Sequence, residues 1–178
     1  MRLFIAIEFP DDIKRQLNRL RMDIPGARWV PVGQIHLTLE FLGEVDEASF
    51  ELLTGELSAI QAPCFDVRFS ATGCFPHRRQ PRVLWVGLEP EPLLASLAIR
   101  VRTAVLASNI PQEERPFAPH ITLARLKFPV PHGADAFLDQ PGVQTIPQVS
   151  VREFVLFQSC LTSGGAIHTA INAFSLAP

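Results

Sequence analysis

One kind of tetrapeptide occurs twice in this chain, as His36-Leu37-Thr38-Leu39 and as His120-Ile121-Thr122-Leu123. Each sets an ionisable imidazole two residues before a hydroxyl, the spacing that puts both side chains on one face of a β-strand. Two imidazoles, each with its own hydroxyl, suit a site with two proton-transfer groups and a duplicated donor for an anion. With five His and eight Thr among 178 residues, chance supplies only about 0.2 matches to H-x-T. Two matches, both continued by Leu in apolar, strand-like surroundings, are hard to attribute to composition.

Alternation along the two strands says which side chains share a face. In the first, Ile35, Leu37, Leu39 and Phe41 have one parity, and His36, Thr38 and Glu40 the other. The apolar set belongs in the core, which leaves His36 and Thr38 on the opposite face. In the second, Ile121 and Leu123 read as core, while His120, Thr122 and the small Ala124 read as outward. Phe41 and Arg125 each stand five residues after their histidine, and both have core parity. A buried, unpaired guanidinium is costly. Arg125 is therefore expected where its strand ends or twists, within reach of the cleft.

A lone H-x-T is weak evidence, because a strand histidine more often makes a structural hydrogen bond. Metal-ligand spacings are missing: there is no H-x-H, no H-E-x-x-H and no acidic cluster beside either histidine. A G-x-S-x-G elbow and a Walker A loop are missing too, and Ser163-Gly164-Gly165 reads as a turn. Opposed imidazoles suit in-line displacement at phosphorus. A neutral one takes a proton from the attacking oxygen and a charged one gives a proton to the leaving oxygen, near the ordinary pKa of His. Thr38, Thr122 and Arg125 would hold the non-bridging oxygens. A strained cyclic phosphodiester opens readily, so this chemistry needs no metal and no cofactor.

The elements that must position these groups read as α+β. Strands are expected at Leu3 to Phe9, Arg28 to Val30, Ile35 to Leu42, Cys64 to Ala71, Arg82 to Leu88, His120 to Leu126, Val149 to Phe157 and Ile167 to Phe174. Helices are expected after Pro10, near Asp46 and after Pro92, with a short one around Asp135 to Leu138. The motifs lie 84 residues apart, each after a helix and a turn. That spacing suggests a bilobal fold: two pseudo-symmetric lobes of antiparallel sheet with outer helices, facing across a central cleft. Residues 1–178 are expected to form a single domain of two interleaved lobes.

Composition is that of a globular chain, 47% hydrophobic and 19% charged, with a formal charge of −2. No global basic field gathers nucleic acid, so a nucleic-acid partner would be met at a small site such as an end. Cys64, Cys74 and Cys160 form no C-x-x-C pair and suggest a reducing compartment. No run reaches transmembrane length and the amino terminus does not read as a signal peptide. The expectation is a cytoplasmic protein, and a monomer, since no long exposed apolar stripe is evident.

The residues that carry the chemistry also carry a resemblance. Arg2-Leu3-Phe4-Ile5-Ala6-Ile7, the run His36 to Gly43, Pro81-Arg82-Val83-Leu84-Trp85, the run Arg115 to Arg125, and Leu156-Phe157-Gln158-Ser159 resemble the 2H phosphoesterase superfamily. The likeness is closest to the bacterial and archaeal RNA 2′,3′-cyclic phosphodiesterases, also called 2′-5′ RNA ligases. The resemblance implies hydrolysis of RNA 3′ ends carrying a 2′,3′-cyclic phosphate to a 2′-phosphomonoester. It also implies that His36 is the proton donor and His120 the proton acceptor, an order that the residues alone leave open. Reversal of the same step implies 2′-5′ joining as a secondary activity.

The chain departs from the family in having no Tyr, and His168 stands near the place where one is common. His168 is a candidate substrate-binding residue, or else caps a strand end. Phe41 is a candidate for stacking a terminal base, or else packs in the core. His77, Arg78, Arg79 and Arg82 form the one dense basic segment and are candidates for the RNA backbone, or else His77, Arg78 and Arg79 lie in a solvated loop, the stronger of the two readings for them; His132 reads as a loop residue. Two other readings use the same cleft: a cyclic phosphodiesterase for small nucleotides, such as ADP-ribose cyclic phosphate or 2′-5′ oligoadenylate, and a non-catalytic RNA-end binding module.

Overall fold

Leu3, Ile5 and Ile7 alternate with Phe4 and Ala6 along β1 (Arg2–Glu8), and all five are buried because the strand lies inside a sheet with apolar groups on both faces. The computed structural model describes residues 1–163 and 165–178. Helix α1 (Asp11–Asn18) follows Pro10, which supplies the fixed φ of a helix entry. β2 (Ala27–Trp29) and a 3-10 turn (Val32–Gln34) lead into β3 (His36–Glu44), the first motif strand. Asp46 caps α2 (Glu47–Ser58) by accepting from the Ser49 amide at 2.8 Å. β4 (Phe65–Phe75), β5 (Val83–Glu89) and α3 (Glu91–Ala107) precede β6 (His120–Leu126), the second motif strand. The short α4 (Asp135–Leu138), β7 (Val149–Val151), β8 (Glu153–Thr162) and β9 (Gly165–Ser175) complete the chain.

The fold is α+β, with two antiparallel sheets in the strand orders β3-β1-β8-β9 and β2-β6-β5-β4-β7. The sheets correspond. In each, the motif strand pairs with the strand that precedes its helix, β3 with β1 and β6 with β5. β8 then plays the part of β4, and β9 that of β7. The lobes interleave, since β2 of the first half joins the second sheet, and β8 and β9 at the end of the chain join the first.

The expected strand from Val149 to Phe157 is two strands in different sheets. β7 pairs with β4 and β8 with β1, and the chain crosses between them at Arg152. Val149 and Val151 on one side and Phe154 to Phe157 on the other are apolar, and the adjacent charged residues Arg152 and Glu153 interrupt the alternation where the chain crosses. β4 runs on to Phe75, four residues beyond the expected Ala71. One contiguous core joins the inward faces of both sheets, including Leu37, Leu39, Ile121 and Leu123, to Leu53, Leu57, Leu94 and Val101 of the helices. Among the described residues no helix is long and apolar enough to cross a membrane.

Candidate active site

β3 and β6 approach each other where the two sheets meet. Their apolar residues enter the common core, so the opposite faces carry the two histidines. His36 Nδ1–H donates to the Gln34 carbonyl at 2.7 Å, and His120 Nδ1–H donates to the Ala118 carbonyl at 2.7 Å. Each histidine is thus held by the carbonyl two residues before it. This fixes the tautomer with its proton on Nδ1 and leaves Nε2 unprotonated. The Thr38 hydroxyl lies 3.1 Å from His36 Nε2. The Gln34 side-chain amide donates to the Ala166 carbonyl and so ties the first motif to β9.

Each strand breaks its alternation at the fourth motif residue. In the β1–β3 ladder, Ala6 pairs with Thr38 and Ile5 with Glu40, leaving Leu39 as an extra residue. In the β5–β6 ladder, Trp85 pairs with Thr122 and Leu84 with Ala124, leaving Leu123 as the extra one. A bulge reverses the parity of the residues beyond it. Three expectations are corrected by it. Phe41, expected to have core parity, is 64% exposed and lies on the histidine face opposite Phe4. Glu40, expected on that face, turns away and pairs with Arg102 of α3 at 3.6 Å. Ala124, expected outward, is fully buried. Arg125 is turned onto the face of His120 and Thr122, where its charge acts on His120.

Aromatic rings that alternation did not single out line both walls. The His36 ring lies 5.0 Å from Phe4, which stacks at 5.1 Å on Phe157. Phe4, Ala6, Val155 and Phe157 form a separate small apolar cluster that floors this wall. On the other wall, His120 meets Phe75 edge-on at 4.9 Å and Trp85 at 6.3 Å. A Cβ at Gly73 would stand 2.2 Å from the indole, so only glycine lets Trp85 lie against β4. Phe4, Trp85 and Phe157 lie within runs quoted above for the resemblance, but periodicity gave none of these rings a place at the site.

His168 does join the site. Its ring stands edge-on to His36 at 5.7 Å and to Phe4 at 4.8 Å. Its Nδ1 is buried with no hydrogen-bond partner among the described residues. A buried bare N–H costs the desolvation of a donor, which favours the tautomer with its proton on Nε2. An unforeseen neighbour is Lys14, whose buried ammonium pairs with Glu8, the strand partner of His36, at 2.6 Å. Lys14 stands three residues before Leu17, on the buried stripe of α1, and that position was the available signal.

Burial pushes the His36 pKa down to about 4; the Gln34 carbonyl opposes this, and the nearby His168 and Lys14 charges add to it. His120 is lowered mainly by burial, with the Ala118 carbonyl opposing and Arg125 contributing. His168 is lowered by burial. All three imidazoles are therefore neutral near pH 7 in the free site. The basic segment is partly committed elsewhere, because Arg78 pairs with Asp135 and Asp139. His132 pairs with Asp135 at 3.0 Å, outside the site. Among the described residues, no group of three or more His, Cys, Asp or Glu side chains is placed to hold a metal ion.

The LigT like Phosphoesterase family matches this chain twice, over residues 7–85 and 86–168, once for each motif. The RNA 2′,3′-cyclic phosphodiesterase of Thermus thermophilus is 36% identical, over 99% of this chain and 90% of its own length. That of Archaeoglobus fulgidus is 30% identical, over 98% and 99%. Among solved structures, Escherichia coli LigT complexed with 3′-AMP superposes with a TM-score of 0.81 at 29% identity, covering 99% of this chain and 98% of that one.

Proposed function

The chain belongs to the LigT-like phosphoesterases, and from that membership we propose that it hydrolyses RNA 2′,3′-cyclic phosphate ends to 2′-phosphomonoesters by metal-independent acid–base catalysis, with residues 1–178 acting as one domain. The observation that carries the reading is the matched presentation of His36 and His120. Both Nδ1–H groups are tied to the carbonyl two residues back at 2.7 Å, and His36 Nε2 lies 3.1 Å from the Thr38 hydroxyl.

His120 Nε2 takes a proton from water as its oxygen attacks phosphorus. The bond from phosphorus to O3′ breaks, and His36 Nε2–H delivers a proton to O3′. Each transfer is worth about 10²–10⁴-fold. His36 is neutral in the free site, so the anionic phosphate must draw a proton onto it; a neighbouring negative charge raises the pKa of an imidazole. Thr38, Thr122 and Arg125 hold the non-bridging oxygens, the guanidinium by paired donors. His168, with its proton on Nε2, donates to a phosphate or ribose oxygen beside His36. Phe41 offers its exposed face to a terminal base. With a 5′-hydroxyl in place of water as the attacking group, the same transfers run in the same direction: the bond from phosphorus to O3′ breaks and the two ends are joined through a 2′-5′ linkage.

The test is hydrolysis of an oligonucleotide 2′,3′-cyclic phosphate with EDTA present. Wild type should yield the 2′-phosphate, and His36→Ala and His120→Ala should each lose on the order of 10³-fold or more. Full activity in either variant, or inhibition of wild type by EDTA, overturns the mechanism.

A further inference from the structure

Arg28 of β2 and Arg125 of β6 are direct partners in the antiparallel pairing of their strands. Direct partners project to one face. Their neighbours Ala27, Trp29, Ala124 and Leu126 all pack on the core, so both guanidiniums stand on the face that carries Thr122. Both residues are exposed. Among the described residues neither has a salt-bridge or hydrogen-bond partner, and what sets them apart from the other unpaired arginines is that they stand directly opposite each other on neighbouring strands. Like charges placed directly opposite destabilise a strand pair. A bare cationic pair beside the reacting groups is accounted for when an anion completes it.

The position of the pair says which anion. From Thr122 the histidine face runs along β6 to Arg125, then one strand outward to Arg28 on β2, the edge of its sheet. Neighbouring strands are only about 4.8 Å apart, so Arg28 adjoins the reacting phosphate's own contacts. A lone cyclic nucleotide without a 5′ phosphate has nothing to place there. A chain that continues from the terminal ribose has a phosphodiester.

We propose that Arg28 is a second phosphate site, which binds the internucleotide phosphodiester next to the terminal nucleotide and makes an RNA chain crossing β2 the preferred substrate. The proposal rests on the acid–base reading given above. Its ligand is a phosphate on the 5′ side of the reacting nucleoside.

The experiment compares kcat/KM for a trinucleotide ending in a 2′,3′-cyclic phosphate with that for the matching nucleoside 2′,3′-cyclic phosphate lacking a 5′ phosphate. Wild type should favour the trinucleotide. Arg28→Gln should reduce that preference by about tenfold and lower the salt dependence by about one phosphate contact, and Arg28→Lys should recover most of it. Arg100→Gln, which removes an equal charge from the exposed side of α3, should keep the wild-type preference. Equal loss on both substrates, or no loss of preference, overturns the proposal. If ADP-ribose cyclic phosphate depends on Arg28 as strongly and is the better substrate, the site serves a diphosphate, and the RNA assignment fails. Anisotropy binding of a trinucleotide with a 2′-phosphate end separates the two layers. A wild type that binds it through Arg28 but turns over neither substrate defeats the catalytic reading alone.

Discussion

Phe41 and Arg125 occupy equivalent places in the two lobes, each five residues beyond an H-x-T histidine, and each is turned onto the histidine face by a bulge at the fourth motif residue. One lobe thereby contributes an exposed aromatic face and the other a guanidinium. The duplicated backbone device carries two different chemistries. On the proposed reading, the nearly symmetrical pair of strands would meet an asymmetric substrate, a base at Phe41 and a phosphate at Arg125.

The two positions should fail differently. Arg125→Ala should lower kcat/KM on the order of 10²-fold, and Arg125→Lys should recover little, because an ammonium lacks the planar fork. Phe41→Ala should raise KM about 5–100-fold, the loss of one base–aromatic stack, with kcat much less affected. A Phe41→Ala enzyme with unchanged KM excludes the stacking role.

His168 should act as a donor and not as a base. His168→Leu should cost about 10–100-fold in kcat/KM, the worth of a hydrogen bond to a charged group. His168→Tyr keeps a hydroxyl donor and should restore most of the activity. Removing the neighbouring charge should also raise the His36 pKa, since His168 is one of the groups that lower it. A leucine variant with the wild-type rate and pH profile leaves His168 as packing.

Activity should peak on the acid side of the ordinary histidine range. kcat/KM reports the free enzyme, in which His36 is pushed down to about 4 and His120 is also lowered. The acceptor works when neutral, and so sets an acid limb below its ordinary 6.5. The donor works when charged, so the other limb falls as pH rises. The two limbs belong to the pair jointly. The kcat profile should lie at higher pH, because bound phosphate raises the donor's pKa. A kcat/KM maximum above neutrality contradicts this division of roles.

Stability should follow the same histidine. Below the ordinary 6.5 the unfolded chain protonates at His36 while the folded chain does not until about 4. The unfolded state then binds more protons, so stability is complete above 6.5 and is lost as pH falls through 4. A lowering of this size amounts to roughly 3 kcal/mol once His36 is protonated in both states. Urea denaturation across this range should show His36→Gln losing less than wild type by about that amount. Parallel curves for the two proteins refute it.

The sequence by itself was enough to read the strand faces at His36, Thr38, His120 and Thr122, the two-lobed antiparallel architecture, and the phosphoesterase family. Those features are local, because side-chain direction follows from a period of two while the pleat is regular. Three things depended on tertiary structure. The bulges at Leu39 and Leu123 arise in pairing with β1 and β5, so the true faces of Glu40, Phe41 and Ala124 are invisible in β3 and β6 alone. The crossing at Arg152 falls at the charged pair Arg152-Glu153 and exists because β7 and β8 find partners in different sheets, a pairing neither run states by itself. His168, Lys14 and Arg28 acquire their neighbours only when β9, α1 and β2 dock beside the motif strands. Periodicity reports which way a side chain points; which groups it meets there is settled by long-range pairing.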